Sequence, residues 1–270
     1  MKINAAFITK ILTSFIREEL SKFDFSRGIL GLSGGLDSTV SAYLAAEALG
    51  ADNVTALIMP YGSSQKKDVE DAENVANTIG INTRTIDISP MVDAFYRNFP
   101  TDSKVIMGNK MARERMSILY DFSAREGALI IGTSNKTELL LGYGTIHGDM
   151  ASALNPIGDL YKTQVRRLAS FLRVPERIIS KAPSAGLWPG QTDEGELGLS
   201  YDLIDSILYS LIDLRKPKSQ IIKEGYKVDA VERIIHLIKS SEFKRKLPPI
   251  AKVSERTVGL DFLYPYDWDR

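Results

Sequence analysis

The chain predicts an α/β fold, a doubly wound parallel sheet with a helical C-terminal part, and three features predict it. Short buried apolar runs alternate with helical periodicity through the first half of the sequence. The first of these runs feeds a glycine-rich turn that opens a helix, and beyond Ser200 the strand signal gives way to helical periodicity.

Taken in order, Phe7, Ile8, Ile11, Leu12, Phe15 and Ile16 recur at the three- and four-residue spacing of an amphipathic helix. Gly28 to Leu32 reads as a short buried strand running into SGGLDS at Ser33 to Ser38, and Thr39 to Leu49 returns to helical periodicity, with Gly50 as its stop. The alternation repeats with a strand at Val54 to Met59, a helix from about Asp68 to Ile79, and a strand at Thr83 to Ile88. A helix opened by Ser89 and Pro90 follows. A long helix over Ser103 to Glu126 stops at Gly127, and Ala128 to Ile131 is short and apolar enough to be the next buried strand. Right-handed crossovers then put helices on both faces of the sheet.

Two stretches lack periodicity and are rich in glycine and small residues, Gly142 to Pro156 and Ala182 to Gly198, the latter holding Pro183, Gly186, Pro189, Gly190 and Gly195. Loops of that length in a compact domain generally cover a site. Tyr201 to Leu214 and Val228 to Lys239 read as helices, followed by Lys244-Arg245-Lys246 and an irregular tail, YPYDWDR. The reading is of a single domain over 1–270, with the nucleotide-binding core over about 25–180 and the helical part over about 200–246.

Composition excludes several function classes. With 44% hydrophobic and 25% charged residues in 270, the chain can bury a sizeable core. Its 34 basic and 34 acidic residues cancel, so no overall positive field would hold a nucleic acid. No apolar run approaches the length of a membrane span, and the amino terminus carries Arg17, Glu18 and Glu19 rather than a cleavage site, so a cytoplasmic protein is expected. There is no cysteine, which removes disulfides, thiolate zinc sites and thiol nucleophiles together. The only histidines are His147 and His236, too few for a histidine metal site or a convincing Ser/His/Asp triad.

The chemistry centres on Ser33-Gly34-Gly35-Leu36-Asp37-Ser38, between a predicted strand and a predicted helix. Two glycines allow close backbone approach, the amides at the helix start point outward, and the helix dipole favours an anion, so the turn suits phosphate. A bland alternative makes it a structural turn in which Asp37 only caps the helix. No G-x-x-x-x-G-K-[ST] or G-x-G-x-x-G occurs, so neither the common NTPase loop nor a redox dinucleotide fold is indicated.

The hexapeptide resembles the pyrophosphate loop of the ATP pyrophosphatases, enzymes that split ATP between its α and β phosphates to adenylate a substrate. That resemblance implies a Rossmann-like sheet of the adenine nucleotide alpha hydrolase type. The second half narrows it: IGTSNKTELLLGYGTIHGD and NPIGDLYKTQVRRLA, with GNKMARERM at Gly108 to Met116 and the run from Gln191 to Gly198, resemble NAD synthetase over most of the chain. Without a cysteine to take ammonia from glutamine, free ammonia is the nitrogen source left to this chain itself.

The resemblance implies ATP-dependent amidation of deamido-NAD with ammonia, and it carries roles onto matching positions. Gly31, Ser33, Gly34, Gly35, Leu36, Asp37, Ser38, Thr133 and Lys162 match ATP-binding positions, and Asp37 with Glu138 match carboxylates that hold magnesium. Asn109, Arg113, Asp149, Glu196 and Lys244 match substrate contacts, with Asp149 near the ammonia. Catalysis would rest on Asp37, Lys162 and Asp149. It also implies a homodimer whose substrate site is completed across the interface. Without the family, Glu138 reads as an ordinary helix glutamate, and Asn109 with Arg113 as a solvated helix face shared with Glu114 and Arg115. Two positions depart from the family pattern: Ile146 stands where lysine is frequent, and Phe243 where histidine precedes the Lys-Arg pair. His147 could substitute in part. Amidation of another carboxylate, or a nucleotide-binding module without turnover, would share the ATP-site residues and differ in the substrate half.

Overall fold

The structure, a computed structural model, describes residues 2–62, 66–188 and 190–262. The irregular tail over 264–270 and Pro189 of the second loop lie outside the described residues. Twelve α-helices and four strands are seen among them. In chain order these are α1 (Ala5–Ser21), β1 (Arg27–Gly31), α2 (Leu36–Leu49), β2 (Val54–Ile58), α3 (Lys66–Ile79), β3 (Asn82–Thr85), α4 (Ser89–Asn98), α5 (Lys104–Glu126) and β4 (Ala128–Ile130). There follow α6 (Lys136–Leu141), α7 (Lys162–Phe171), α8 (Glu176–Ile179), α9 (Asp193–Leu197), α10 (Tyr201–Leu208), α11 (Lys218–Lys223) and α12 (Val228–Ser240).

The strands form a parallel sheet in the order β3-β2-β1-β4. Alternation along the strands divides the core. Leu30, Ala56 and Ile58 pack with α1, α2, α3 and α7, while Ile29, Leu57, Ala128 and Ile130 pack with α4 and α5 on the opposite face. The strand order reverses between β1 and β4, and in open α/β sheets that reversal opens a crevice at the strands' carboxyl ends.

The long helix is placed as the sequence predicts, with Ser103 accepting from the Ile106 amide at its start and Gly127 left-handed (φ 58) at its end. Along α1, Ile16 and Leu20 are buried and Ile8, Leu12 and Phe15 pack half-buried against the same core, whereas Phe7 and Ile11 at the stripe's edge are exposed. The strand expected to reach Ile88 ends at Thr85, because Asp87 turns back to accept from the Ser89 amide. Ile86 and Ile88 still donate to Ile58 and Pro60 across the gap.

The C-terminal helices depart from the expected single run. After α10 the chain widens into a π-helix over Tyr209–Asp213, where Asp213 accepts from the Tyr161 hydroxyl at 2.5 Å and from Lys136 at 2.9 Å. Two side chains on other elements therefore hold the end of this turn, which continues α10 with a wider winding. The second glycine-rich stretch is not wholly irregular either: Thr192 caps α9 by accepting from the Gly195 amide.

Candidate functional site

A cavity of about 480 Å³ opens at the switch point between β1 and β4, within the size range of small-molecule sites. The turn after β1 forms one wall, the turn after β4 and both glycine-rich loops form others, and α5 lies along the side. Gly34 has φ +73, and a Cβ there would sit 2.3 Å from the Asp68 carbonyl oxygen, so glycine is required by both backbone and space. Ser33 and Ser38 bond to each other through their hydroxyls at 3.0 Å, and the Ser33 hydroxyl accepts from the Gly35 amide at 3.2 Å. The turn is thereby held open at the positive end of α2, with Asp37 in that helix's first turn.

Three elements distant in sequence bring three charges together here. Lys162, at the start of α7 and almost wholly buried, donates to Asp37 and, at 3.2 Å, to Glu138 on α6. Asn135 caps α6 in a reciprocal box with Glu138 and donates to the other Asp37 oxygen at 3.0 Å. The Lys162 ammonium also lies 5.1 Å from the Tyr201 ring centre, on α10. Burial alone would lower the Lys162 pKa, but the carboxylates of Asp37 and Glu138 outweigh it and hold the ammonium charged. The Glu138 carboxyl is pushed up by burial, against the pull of Lys162, with Asp37 adding to the rise.

These two carboxylates converge on one cation, and their hard oxygens fit magnesium. Among the described residues no group of three or more His, Asp or Glu could hold a metal by itself. Phosphate oxygens of a bound nucleotide, with water, would complete such a shell.

Asp149 accepts from the Thr145 amide at 2.9 Å, inside the first glycine-rich loop. It is exposed, but its open side lines the cavity, and burial on its remaining sides raises its carboxyl above the ordinary aspartate range. Lys244 reaches in from the C-terminal part and donates to the carbonyls of Gly142 and Gly144, each at 2.8 Å. Burial lowers its pKa, partly offset by Asp149. Asn109 accepts from the Thr145 hydroxyl at 2.8 Å, and Glu196 accepts from Tyr143 at 2.7 Å and from Gln191 at 3.0 Å.

The cavity wall thus includes Gly31, Ser33, Gly35, Leu36, Asp37, Ser38, Asn109, Thr133, Glu138, Asp149, Lys162, Glu196 and Lys244. Arg113 is not on it: the side chain is exposed and donates to the Ile146 carbonyl at 3.2 Å. Arg115, read from spacing as part of a solvated face, lines the cavity instead. Sequence reasoning also missed Asn135, Tyr143, Asp193 and Tyr201. Asn135 carried a signal, since N-x-x-E ahead of an apolar run is a capping pattern. The others meet the site through hydrogen bonds and a ring contact between different elements, which local spacing does not show.

Asp205, on α10, is buried and was likewise missed. It accepts from the Thr137 hydroxyl at 2.6 Å and from the Thr163 amide at 2.8 Å, while Thr137 accepts from the Lys162 amide at 3.0 Å. One carboxylate therefore ties the start of α6, which carries Glu138, to the start of α7, which carries Lys162.

Comparison with known proteins shows the family. A relative from Trichlorobacter lovleyi, named NH(3)-dependent NAD(+) synthetase, is 49% identical over 100% of this chain and 99% of its own length. A solved NH3-dependent NAD synthetase from Campylobacter jejuni, in complex with the nitrate ion, superposes with a TM-score of 0.80 at 35% identity, over 93% of this chain and 100% of that one. A solved NMN synthetase from Francisella tularensis superposes with a TM-score of 0.83 at 35% identity, over 93% and 99%. The sequence model of NAD synthase matches residues 8–248, and with that span of agreement the chain belongs to the NAD synthase family.

Proposed function

We propose that this chain amidates deamido-NAD with ammonia, consuming ATP and releasing NAD, AMP and pyrophosphate by way of an adenylated carboxylate, the last step of NAD biosynthesis. The observation that carries the reading is the full-length likeness to NH(3)-dependent NAD(+) synthetase, joined to a phosphate-type turn at the sheet's switch point. The absence of cysteine from the chain fits ammonia rather than glutamine as the nitrogen source.

In this reading the turn from Gly31 to Ser38 takes the phosphates of ATP on its backbone amides, with Thr133 beside the nucleotide at the end of β4. Lys162 neutralises charge on the departing pyrophosphate. Asp37 and Glu138 would hold magnesium, which when bound neutralises phosphate charge as a Lewis acid. Asn109, Arg113, Glu196 and Lys244 hold deamido-NAD, and Asp149 orients ammonia and accepts its proton. The two glycine-rich loops exclude water from the reactive anhydride. We also propose a homodimer in which Arg113, off the cavity of its own chain, meets substrate shared with the partner, and a cytoplasmic setting in which ATP is supplied. No helix among the described residues is long and apolar enough to cross a membrane.

The test is pyrophosphate release by the purified chain with ATP, magnesium and ammonium, with and without deamido-NAD, following NAD in parallel and molar mass by light scattering. Stoichiometric NAD and pyrophosphate, lost in Asp37→Ala, are expected from a particle of twice the chain mass. A second reading, amidation of the mononucleotide acid to NMN, is favoured by the likeness to the Francisella tularensis NMN synthetase together with Ile146 and Phe243 at positions where the family resemblance implies substrate contact. Running the mononucleotide acid beside deamido-NAD decides between them.

A further inference from the structure

Among the described residues four cationic side chains line the cavity, and three are already engaged by the protein. Lys162 is held by Asp37 and Glu138, Lys181 by Asp68, Asp71 and the Gly34 carbonyl, and Lys244 by two loop carbonyls. Arg115 is different. Its Nε donates to the Met59 carbonyl at 2.9 Å, which fixes the plane of the guanidinium against the end of β2. Its two terminal nitrogens have no partner among the described residues, and no carboxylate there comes within ion-pair distance. Neither nitrogen is among the sealed, unpartnered polar atoms, and the residue lines the cavity.

A partly desolvated guanidinium without an anion is unfavourable, and a ligand that brings the anion relieves it. Burial draws this arginine down to about 10, and the acidic group whose charge opposes that fall is Asp149. The planar fork left free matches the two oxygens of a carboxylate or two oxygens of a phosphate. Its neighbours favour the carboxylate. The phosphate turn lies at the start of α2, whereas Arg115 projects from α5, which packs on the opposite face of the sheet. It shares its part of the wall with Asp149, the group assigned to ammonia, and ammonia must meet the acid it amidates.

We propose that Arg115 binds the carboxylate that is to be amidated, and then the acyl oxygen left after activation. This rests on the deamido-NAD reading above. One carboxylate oxygen attacks the α phosphorus, forming the carbon–oxygen–phosphorus anhydride as the bond to pyrophosphate breaks and pyrophosphate leaves with the electron pair. The second oxygen stays on the guanidinium. When ammonia adds to the carbon, negative charge gathers on that oxygen, where the fork is already aimed. Collapse expels AMP, which keeps the bridging oxygen, and the surplus proton on nitrogen passes to Asp149.

The experiment compares wild type, Arg115→Gln and Arg115→Lys by steady-state kinetics and by calorimetric binding of ATP and of deamido-NAD separately. Wild-type turnover comes first, since its failure overturns the parent reading and not this assignment alone. With wild type active, Arg115→Gln is expected to lower kcat/KM for deamido-NAD about 100-fold or more while ATP affinity stays within about threefold. Arg115→Lys, keeping charge without the fork, should recover only part of the loss. Thermal unfolding of ligand-free Arg115→Gln should fall by no more than about a few degrees, because loss of the bond to the Met59 carbonyl is offset by removal of an unpaired, partly desolvated charge. A parallel loss of ATP affinity would assign Arg115 to a phosphate instead. An unchanged kcat/KM, or a large fall in unfolding temperature showing a structural role, would also overturn the proposal.

Discussion

At the scale of single residues, the site works by setting charges against burial, and Asp149 shows the consequence most directly. Its carboxyl is raised above the ordinary aspartate value of 3.8 by burial, against hydrogen bonds and Lys244 that lower it. In the proposed role of acceptor of a proton from ammonia it must be ionised, so that role would be lost as pH falls through its raised pKa. With free ammonia held constant, kcat should therefore drop on the acid side at a pH above 3.8. In Asp149→Asn the overall rate should be lower and that limb absent; a limb that survives the substitution would remove Asp149 from the proton path. The residue scale is also where the sequence was most uneven. Asp37 and its glycines are contiguous and could be read from strand, turn and helix context. Lys162, more than a hundred positions away, could be joined to Asp37 only through resemblance, because nothing in local spacing brings α7 to α2. Arg115 was misassigned for a related reason: with Glu114 beside it on a long helix it looks solvated, and only the close approach of Met59 shows otherwise.

Among the elements, the arrangement that matters is the pairing of α6 with α7 through Asp205. Replacing Asp205 by alanine leaves the Thr137 hydroxyl and the Thr163 amide without their acceptor in a buried setting, at about 1–3 kcal/mol for each unsatisfied group. Asparagine keeps the shape and can still accept from Thr137, but it turns an NH₂ group toward the Thr163 amide. Asp205→Asn should consequently stay folded, with an unfolding temperature lowered by a few degrees, while kcat falls about tenfold through displacement of Glu138 and Lys162. Kinetics and scanning calorimetry on the same preparation check this, and an unaltered kcat would mean that the two helix starts are positioned without it. The longer elements were legible because periodicity over many residues outweighs local noise: β1, α2, β2, α3 and α5 are all found close to their expected bounds. The short α7 and α11 were not, and neither was the widened turn over Tyr209–Asp213, since a helix of few turns or a change of winding depends on partners such as Tyr161 and Lys136 rather than on sequence period.

For the molecule as a whole, the question is whether the helical C-terminal part is an appendage to the nucleotide-binding sheet or belongs to it. Its apolar core contains Leu141 from α6 and Tyr161 from the cap of α7, packed with Tyr201, Ile204, Ile207 and Ile234. Tyr201 in turn lies beside the Lys162 ammonium, and Lys244 reaches back to the loop after α6. Neither half can unfold without exposing apolar surface of the other and breaking the link from Asp205 to Lys162, so the chain should unfold as one cooperative unit. Calorimetry is expected to show a single transition whose van't Hoff and calorimetric enthalpies agree. ATP with magnesium should move that whole transition upward, by about 2.7 kcal/mol of added stability at a hundredfold excess over its dissociation constant. Two transitions, of which ATP moved only one, would mean that the helical part is a separate domain and that its contacts with the ATP site are incidental. A single shifted transition would mean that the site is built by both parts, and that its binding energy is distributed through the entire fold.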